Sequence, residues 1–462
     1  MIKIIDEKRI NGILEKSSKL SADIGAVREI LAKAGEMKGL DPEEAGVLLH
    51  LKDPELTGEL FNIAARIKEM TYGERLVFFA PLYISDFCIN DCDYCNFHTR
   101  NKSMERKKLT MGEIEGQARF LINMGHKRLL LECGEDPVKN GIDYVVDAID
   151  RIYSVKTEKG NIRRINVNIA ATTVDDYKRL KAAGIGTYQL FQETYHRDTY
   201  EKIHNGPKAD YDRQLTAHIR AFEAGLDDLG LGALFGLYDW RFEVLALVSH
   251  AIYMDGEFGV GPHTFSVPRF RPAPTVAYAP QYLVPDSDFL KIIAILRAAV
   301  PYTGMIISTR EKPEIRKEAF RIGISQASAC SVTSVGGYGK DSGDGQFKIY
   351  DERPLIEIIE GVLDDKLLPS FCTACYRSGR TGKAFMDLAK PGDIHNLCRP
   401  NALLTFAEYL EDFVKNNGDT PVYRKGYEVI GFYLNKIENK AARDRTAEKL
   451  NKIKEGRRDV YF

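Results

Sequence analysis

Three cysteines, Cys88, Cys92 and Cys95, stand in the run Cys-Ile-Asn-Asp-Cys-Asp-Tyr-Cys, a C-x3-C-x2-C spacing. Thiolates this close in sequence can hold three corners of a [4Fe–4S] cluster and leave the fourth iron without a protein ligand. An iron left open in this way is a place for a small molecule to bind and react. Zinc suits the triad less well. A structural zinc site closes with four ligands, and the nearest extra candidate, His98, would cramp it into C-x3-C-x2-C-x2-H. A disulfide would leave one of the three cysteines odd.

A second group lies far downstream. Cys372 and Cys375 open the run Cys-Thr-Ala-Cys-Tyr-Arg-Ser-Gly-Arg-Thr-Gly, and Cys398 follows after 22 residues. On spacing alone a second iron–sulfur cluster and a Cys3His zinc site completed by His395 stand level. The two remaining cysteines, Cys133 and Cys330, fall in apolar or small-residue runs and are expected as buried core residues.

Four further segments carry polar chemistry. Gly134-Glu135 pairs a residue that lets a ligand approach the backbone with a carboxylate that complements an ammonium. Glu193, in Gln192-Glu193-Thr-Tyr195-His196, can accept hydrogen bonds from a ribose or close a salt bridge on a rim. In Pro268-Arg269-Phe-Arg271, the proline can end a ladder and leave Arg269 to meet a carboxylate or stack on an aromatic base. Ser308-Thr309-Arg310 combines a hydroxyl and a guanidinium that can clamp an amino-acid carboxylate, with interior salt bridging as the competing role. His263 begins the apolar run that leads to Arg269, and a lone strand histidine is usually structural.

The elements that must hold these residues alternate between short apolar runs and amphipathic stretches. Eight strands are expected, at Leu76–Ile84, Arg128–Glu135, Arg164–Ala170, Thr187–Glu193, Asp228–Gly236, His263–Phe270, Gly304–Glu311 and Ile324–Ser331. Helical patterns lie between them, the first opened by a capping box at Thr110 and Glu113. Eight β/α units imply a parallel sheet closed into a (β/α)8 TIM-type barrel, with an open doubly wound sheet as the alternative. The expected organisation is an N-terminal helical segment at 1–75, a barrel at 76–335 and a mainly helical C-terminal iron–sulfur domain at 336–462. A Gly-rich link at Gly336–Gly345 joins the last two, and a final basic helix near Lys436–Lys454 reads as a solvated face. Barrel enzymes place chemistry at the carboxyl ends of their strands, where the first triad and the four polar segments fall.

Bulk properties narrow the partners. A formal charge of −1 over 462 residues makes no electrostatic case for nucleic acid or an anionic membrane. The first ten residues lack the apolar core of a signal peptide, and no apolar run approaches the ~18 residues of a spanning helix. The cytoplasm is the expected compartment, where eight cysteines argue for metal or catalysis before disulfides.

The aromatic Tyr94 before the last cysteine of the first triad, and the Asn96-Phe97 pair after it, resemble the cluster loop of the radical S-adenosylmethionine (radical SAM) enzymes. The two triads together resemble one family of that superfamily, the HydG tyrosine lyases that mature [FeFe]-hydrogenase. The likeness runs from about residue 40 to 440. Its most specific segments are Cys88–Cys95, Tyr188–His196, Gly259–Arg269 and Cys372–Gly382 with Cys398. The thiazole-pathway tyrosine lyase ThiH is similar through the barrel but lacks the C-terminal cysteine domain. Asn96 departs from the Gly expected in many relatives.

The resemblance implies two [4Fe–4S] clusters, SAM and an additional labile iron. It implies cleavage of L-tyrosine to p-cresol and dehydroglycine, then conversion of the glycine fragment to carbon monoxide and cyanide on the second cluster. By motif match, Tyr94, Gly134, Glu135, Glu193 and Arg269 become SAM contacts, and Ser308 and Arg310 the clamp on the tyrosine carboxylate. Cys372, Cys375 and Cys398 would hold the auxiliary cluster. His263 would ligate the labile iron, with His250 as the alternative. Implied partners are L-tyrosine, free cysteine as an iron ligand, a reductant such as ferredoxin or flavodoxin, and other hydrogenase maturation proteins. A non-catalytic iron–sulfur scaffold is the reading from another class; it would leave the strand-end polar residues without a reason to share one barrel mouth.

Overall fold

The computed structural model describes residues 4–273, 275–276, 278–340, 344–415 and 420–462. Residues 341–343 of the expected Gly-rich link therefore lie outside the described residues. Four helices come first, at Glu7–Leu20, Ile24–Gly35, Pro42–Leu49 and Pro54–Tyr72. The third starts as the sequence indicates: Asp41 caps it, Pro42 occupies its first position, and Glu44 returns a hydrogen bond to complete a capping box.

Eight parallel strands follow: β1 Arg75–Ser85, β2 Arg128–Cys133, β3 Arg164–Asn168, β4 Tyr188–Gln189, β5 Leu229–Gly232, β6 Thr264–Ser266, β7 Gly304–Ile307 and β8 Gln326–Ser328. They pair in sequence order, and β1 pairs with both β2 and β8. That double pairing closes the barrel and excludes the open doubly wound sheet. Most ladders are shorter than the apolar runs that announced them. Beyond the last paired residue the chain peels away from its neighbours and the same run becomes site lining. Outside the barrel, Met111–Asn123 packs against β1, while Trp240–Phe258 and Asp286–Ala299 pack on each other and on the N-terminal helices. The expected capping box at Thr110 and Glu113 opens the first of them.

The C-terminal segment joins the barrel wall. A ninth strand, β9 Leu368–Ser370, runs parallel to β1 and pairs with Arg75, Leu76 and Val77. Val77 also pairs with β8, so β9 takes the edge of β1 that β2 occupies further along. Residues 336–462 thus contribute backbone to the amino end of the sheet. Beyond β9 this segment is helical: His395–Tyr409 packs on β9 and β1, Thr420–Asn435 packs on His395–Tyr409, and Gly382–Ala389 buries Phe385 and Met386 with Tyr72 and Val260. The basic helix runs from Lys440 to Lys454 and buries only Thr446, Leu450 and Ile453.

Candidate active site

Cys88, Cys92 and Cys95 lie on the loop that leaves the carboxyl end of β1, and all three line one cavity of about 190 Å³ in the barrel mouth. Backbone hydrogen bonds pin this loop on several sides. Ile89 N donates to Glu135 O at 2.8 Å, Asp91 N to Asn205 O at 2.9 Å and Asp93 N to Ile203 O at 3.0 Å. Asn96, the departure from the expected Gly, is buried and ties the loop outward: its amide donates to Gly345 O at 2.8 Å, and its oxygen accepts from Asn101 and Thr275. Tyr94 turns its hydroxyl to His204 Nε2 at 2.8 Å and meets that ring edge-on.

The donor set suits a cluster. Burial pushes the Cys92 thiol well above its ordinary range and Cys95 up to about 11, so these sulfurs ionise only against compensating positive charge such as iron. Among the described residues, no three His, Cys, Asp or Glu side chains converge as a single ion requires. A four-iron cube holds its thiolates at separate corners.

The polar residues at the strand ends reach the same cavity. Gly134, Glu135, Glu193, Ser308 and Arg310 all line it. Gly134 is needed by the protein's own backbone as well as by any ligand: a Cβ there would sit 3.0 Å from the Phe87 carbonyl carbon and 3.1 Å from Cys88 Cβ. Glu135 accepts from Asn90 at 2.6 Å and from Arg213 at 2.7 Å. Glu193 adopts φ +68° and pairs with Lys208 at 2.7 Å. Backbone in that region costs about 1–3 kcal/mol for a non-glycine residue and gathers at functional sites. Ser308 Oγ accepts from Arg310 N at 3.3 Å, and the Arg310 guanidinium stacks on Phe347.

Arg269 is the expected site residue that the structure keeps from the cavity wall. Its guanidinium is bound by both oxygens of the fully buried Glu311, by Asp286 at 2.7 Å and by Val284 O at 2.8 Å. The carboxylate that Arg269 suits is thus supplied by the protein: Glu311, 42 residues away, lies opposite it on the rim. Cys133 departs from expectation in the other direction, lining the cavity instead of filling the core. Cys330 is half-buried, at φ +51°.

Two charged cavity residues were not anticipated from the sequence. Glu132 is one, and its signal was present: strand alternation places Leu130 and Glu132 on one face of β2, so a charged residue there points into the barrel. Lys208, the partner of Glu193, carried no local signal.

The second cysteine group gathers at the opposite end. Cys372 follows β9 by two residues, beside the first residues of β1. β1 alone separates this end from the first triad by roughly 30 Å, ten steps at about 3.3 Å each. Burial raises the Cys372 thiol to about 11 and also raises Cys398, against the opposing charge of Arg75. Arg75, Arg128 and Arg164 stand at the amino ends of β1, β2 and β3, a cationic surround suited to an anionic thiolate set. His263 lies here too, with Nδ1 3.3 Å from Asp228 and its ring packed on Phe385 at 3.8 Å. Its Nε2 is buried without a hydrogen-bond partner among the described residues. His250 is placed elsewhere, inside Trp240–Phe258, where Nδ1 meets the Tyr195 hydroxyl at 3.0 Å. His395 Nδ1 is directed to Gly392 O at 2.8 Å.

Together the barrel and its three-cysteine loop define a radical SAM enzyme. The Radical SAM superfamily model matches residues 82–246, and the Biotin and Thiamin Synthesis associated domain matches 266–367. The chain belongs to the HydG family. A crystal structure of HydG, a maturase of the [FeFe]-hydrogenase, is 51% identical, with a TM-score of 0.95 and full coverage of both chains. HydG from Carboxydothermus hydrogenoformans is 39% identical, with a TM-score of 0.83 over 96% of this chain and 100% of that one. The 2-iminoacetate synthase of Escherichia coli (strain K12) is 32% identical over 312 residues, 66% of this chain and 81% of the relative.

Proposed function

We propose that this chain cleaves the Cα–Cβ bond of L-tyrosine to p-cresol and dehydroglycine. The glycine fragment is then turned into carbon monoxide and cyanide at the foot of the barrel. These are delivered on iron, as cargo for assembly of an [FeFe]-hydrogenase active site. The observation that carries this reading is the presence of two separate three-cysteine sets at opposite ends of one barrel. The name of the E. coli relative supports the first half, since 2-iminoacetate is dehydroglycine. The HydG structures support the second.

Cys88, Cys92 and Cys95 would hold a [4Fe–4S] cluster whose open iron would take SAM, and the pair would supply one-electron radical chemistry to the cavity. The chain's own residues do the rest of the placing. Glu135, held by Asn90 and Arg213, presents a carboxylate to the SAM ammonium, and Glu193, steadied by Lys208, faces the ribose. Tyr94 closes the adenine side. Ser308 and Arg310 take the tyrosine carboxylate; Phe347 under the guanidinium fixes its plane. Arg269 contributes through Glu311, locking the rim beside the cavity.

The glycine fragment has a polar path downward. Gln189 donates to Thr264 at 3.2 Å and to Ser266 at 3.3 Å inside the barrel. Next come Asn166 and Thr187, which hold Arg164, and then Asp228 beside His263. A barrel interior usually fills with branched apolar side chains; this one carries amides and hydroxyls that suit a small polar fragment. Enclosure also keeps toxic, diffusible products from escaping. At the foot, Cys372, Cys375 and Cys398 would hold the auxiliary cluster, and His263 the labile iron, with free cysteine as a further ligand. A ferredoxin or flavodoxin supplies electrons, and the expected setting is the cytoplasm. Among the described residues no helix is long and apolar enough to cross a membrane.

The test is a product assay on the protein reconstituted anaerobically with iron and sulfide. SAM, dithionite and L-tyrosine are added, and 5'-deoxyadenosine, p-cresol, cyanide and carbon monoxide are measured in one sample. All four are expected. p-Cresol without carbon monoxide from a protein with both clusters loaded would reduce the reading to a simple tyrosine lyase. Loaded clusters without SAM cleavage would leave a scaffold.

A further inference from the structure

Three carboxylates on β2, or on the loops after β2 and β4, line the cavity: Glu132, Glu135 and Glu193. Two have cationic partners, Arg213 for Glu135 and Lys208 for Glu193. Among the described residues, Glu132 has none. It faces into the barrel from β2, directly across the ladder from Tyr83 of β1. The Tyr83 hydroxyl is within hydrogen-bonding reach of it and donates to Gln346 at 2.9 Å. The opposite charge that acts on Glu132 is Arg310, which stacks on Phe347 and forms no ion pair among the described residues. The cavity wall therefore offers, among the described residues, a guanidinium and a carboxylate without ion-pair partners, the complement of the carboxylate and ammonium borne on one α-carbon.

We propose that Glu132 binds the α-ammonium of the substrate amino acid and acts as the base that takes its proton. This rests on the tyrosine reading above and assigns it a residue. With the substrate carboxylate on Ser308 and Arg310, the ammonium falls to the carboxyl beside Arg310. One N–H bond breaks heterolytically, the proton goes to a Glu132 oxygen, and the electron pair stays on nitrogen. The product is a neutral amine with two N–H bonds left, and a hydrogen atom can leave from one of them. An ammonium, with no lone pair, would not stabilise the resulting nitrogen radical or lead on to the imine.

The environment of Glu132 matches the task. Burial raises its carboxyl to about 7, against Tyr83 and Arg310, which lower it, while Glu193 adds to the rise. The other titratable groups facing it are Cys133 on its own strand and Tyr338. A base with a pKa near working pH combines adequate ionisation with driving force. Glu135 is a poorer candidate because it is ion-paired with Arg213 and already assigned to the SAM ammonium.

The experiment compares wild type, Glu132→Gln and Glu132→Asp as reconstituted holoenzymes with SAM. The first readout is competition for the site between L-tyrosine and 3-(4-hydroxyphenyl)propionate, which lacks the amine. The second is the pH profile of p-cresol formation. Wild type is expected to favour tyrosine by at least about tenfold and to show an acidic limb near pH 7. Glu132→Gln should lose both the preference and the limb, with p-cresol formation at pH 7 down by about 10²-fold or more. Glu132→Asp should keep the limb at reduced rate. Equal preference and an unchanged limb in Glu132→Gln would overturn the assignment. A wild type that binds neither compound while still cleaving SAM would instead sink the tyrosine reading, and the assignment with it.

Discussion

Replacing Gly134 by Ala tests how tightly the cluster loop is locked to β2. Its Cβ would meet the Phe87 carbonyl carbon at 3.0 Å and Cys88 Cβ at 3.1 Å, with the Phe87 carbonyl oxygen closer than any real Cβ contact. None of these atoms is the end of a flexible side chain, so relief requires the backbone at Phe87–Cys88 to move. Overpacking of this kind costs about 1–3 kcal/mol. If that cost falls on the ligand-ready loop position, SAM affinity drops by about 5- to 150-fold, at about 1.4 kcal/mol per factor of ten. A shift on the order of 1 Å at a reacting centre can remove a further 10²-fold from the rate. The assay is equilibrium SAM binding to reconstituted protein, followed by p-cresol formation, with circular dichroism to show that the barrel persists. A Gly134→Ala protein that binds SAM within twofold of wild type and forms p-cresol at the same rate would refute the reasoning. It would mean that the loop after β1 has slack which the hydrogen bonds from Ile89 and Asp91 do not reveal.

Three other outcomes are expected. Changing Cys372 and Cys375 together to Ala should leave p-cresol formation in place and abolish carbon monoxide release; equal loss of both products would end the division between the two barrel ends. His263→Ala should keep both cysteine-held clusters by spectroscopy yet bind less iron beyond them, whereas His250→Ala should not lower that excess iron; the reverse pattern would move the ligand to His250. Glu243 is fully buried, and burial raises its carboxyl to about 8 despite hydrogen bonds from Thr194 and Tyr195. Its folded-state pKa lies above the unfolded value near 4.5, so stability should fall as pH rises from about 4.5 through 8. Thermal unfolding across that range should show the fall in wild type and a flatter profile in Glu243→Gln; an unchanged slope would show that Glu243 does not carry it.

Much of this was legible because it is local. The triad Cys88, Cys92 and Cys95 spans eight residues on one loop, and connectivity alone brings the sulfurs together. The capping boxes at Asp41 and Thr110 are written in residues three apart. Alternating strands and helices leave few topologies once parallel pairing and right-handed crossovers are required, and the barrel followed. Strand ends were less legible. His263–Phe270 pairs only at Thr264–Ser266, because pairing stops where neighbours diverge and apolar character does not.

The chain's residues by themselves determined that two cysteine sets exist, that eight β/α units carry the first and a helical segment the second, and which polar residues end the strands. Tertiary structure decided which of those residues remain available. It gave Arg269 to Glu311 across 42 positions and Lys208 to Glu193, and left Glu132 and Arg310 on the cavity wall without ion-pair partners among the described residues. It also inserted β9 beside the amino end of β1, nearly 300 residues apart in sequence, and so carried Cys372 to the foot of the barrel. Spacing along a chain fixes which groups can meet through a few bonds. The partner of a buried charge is chosen by whichever group the closed sheet brings within a few ångströms, and no short window of sequence contains that choice.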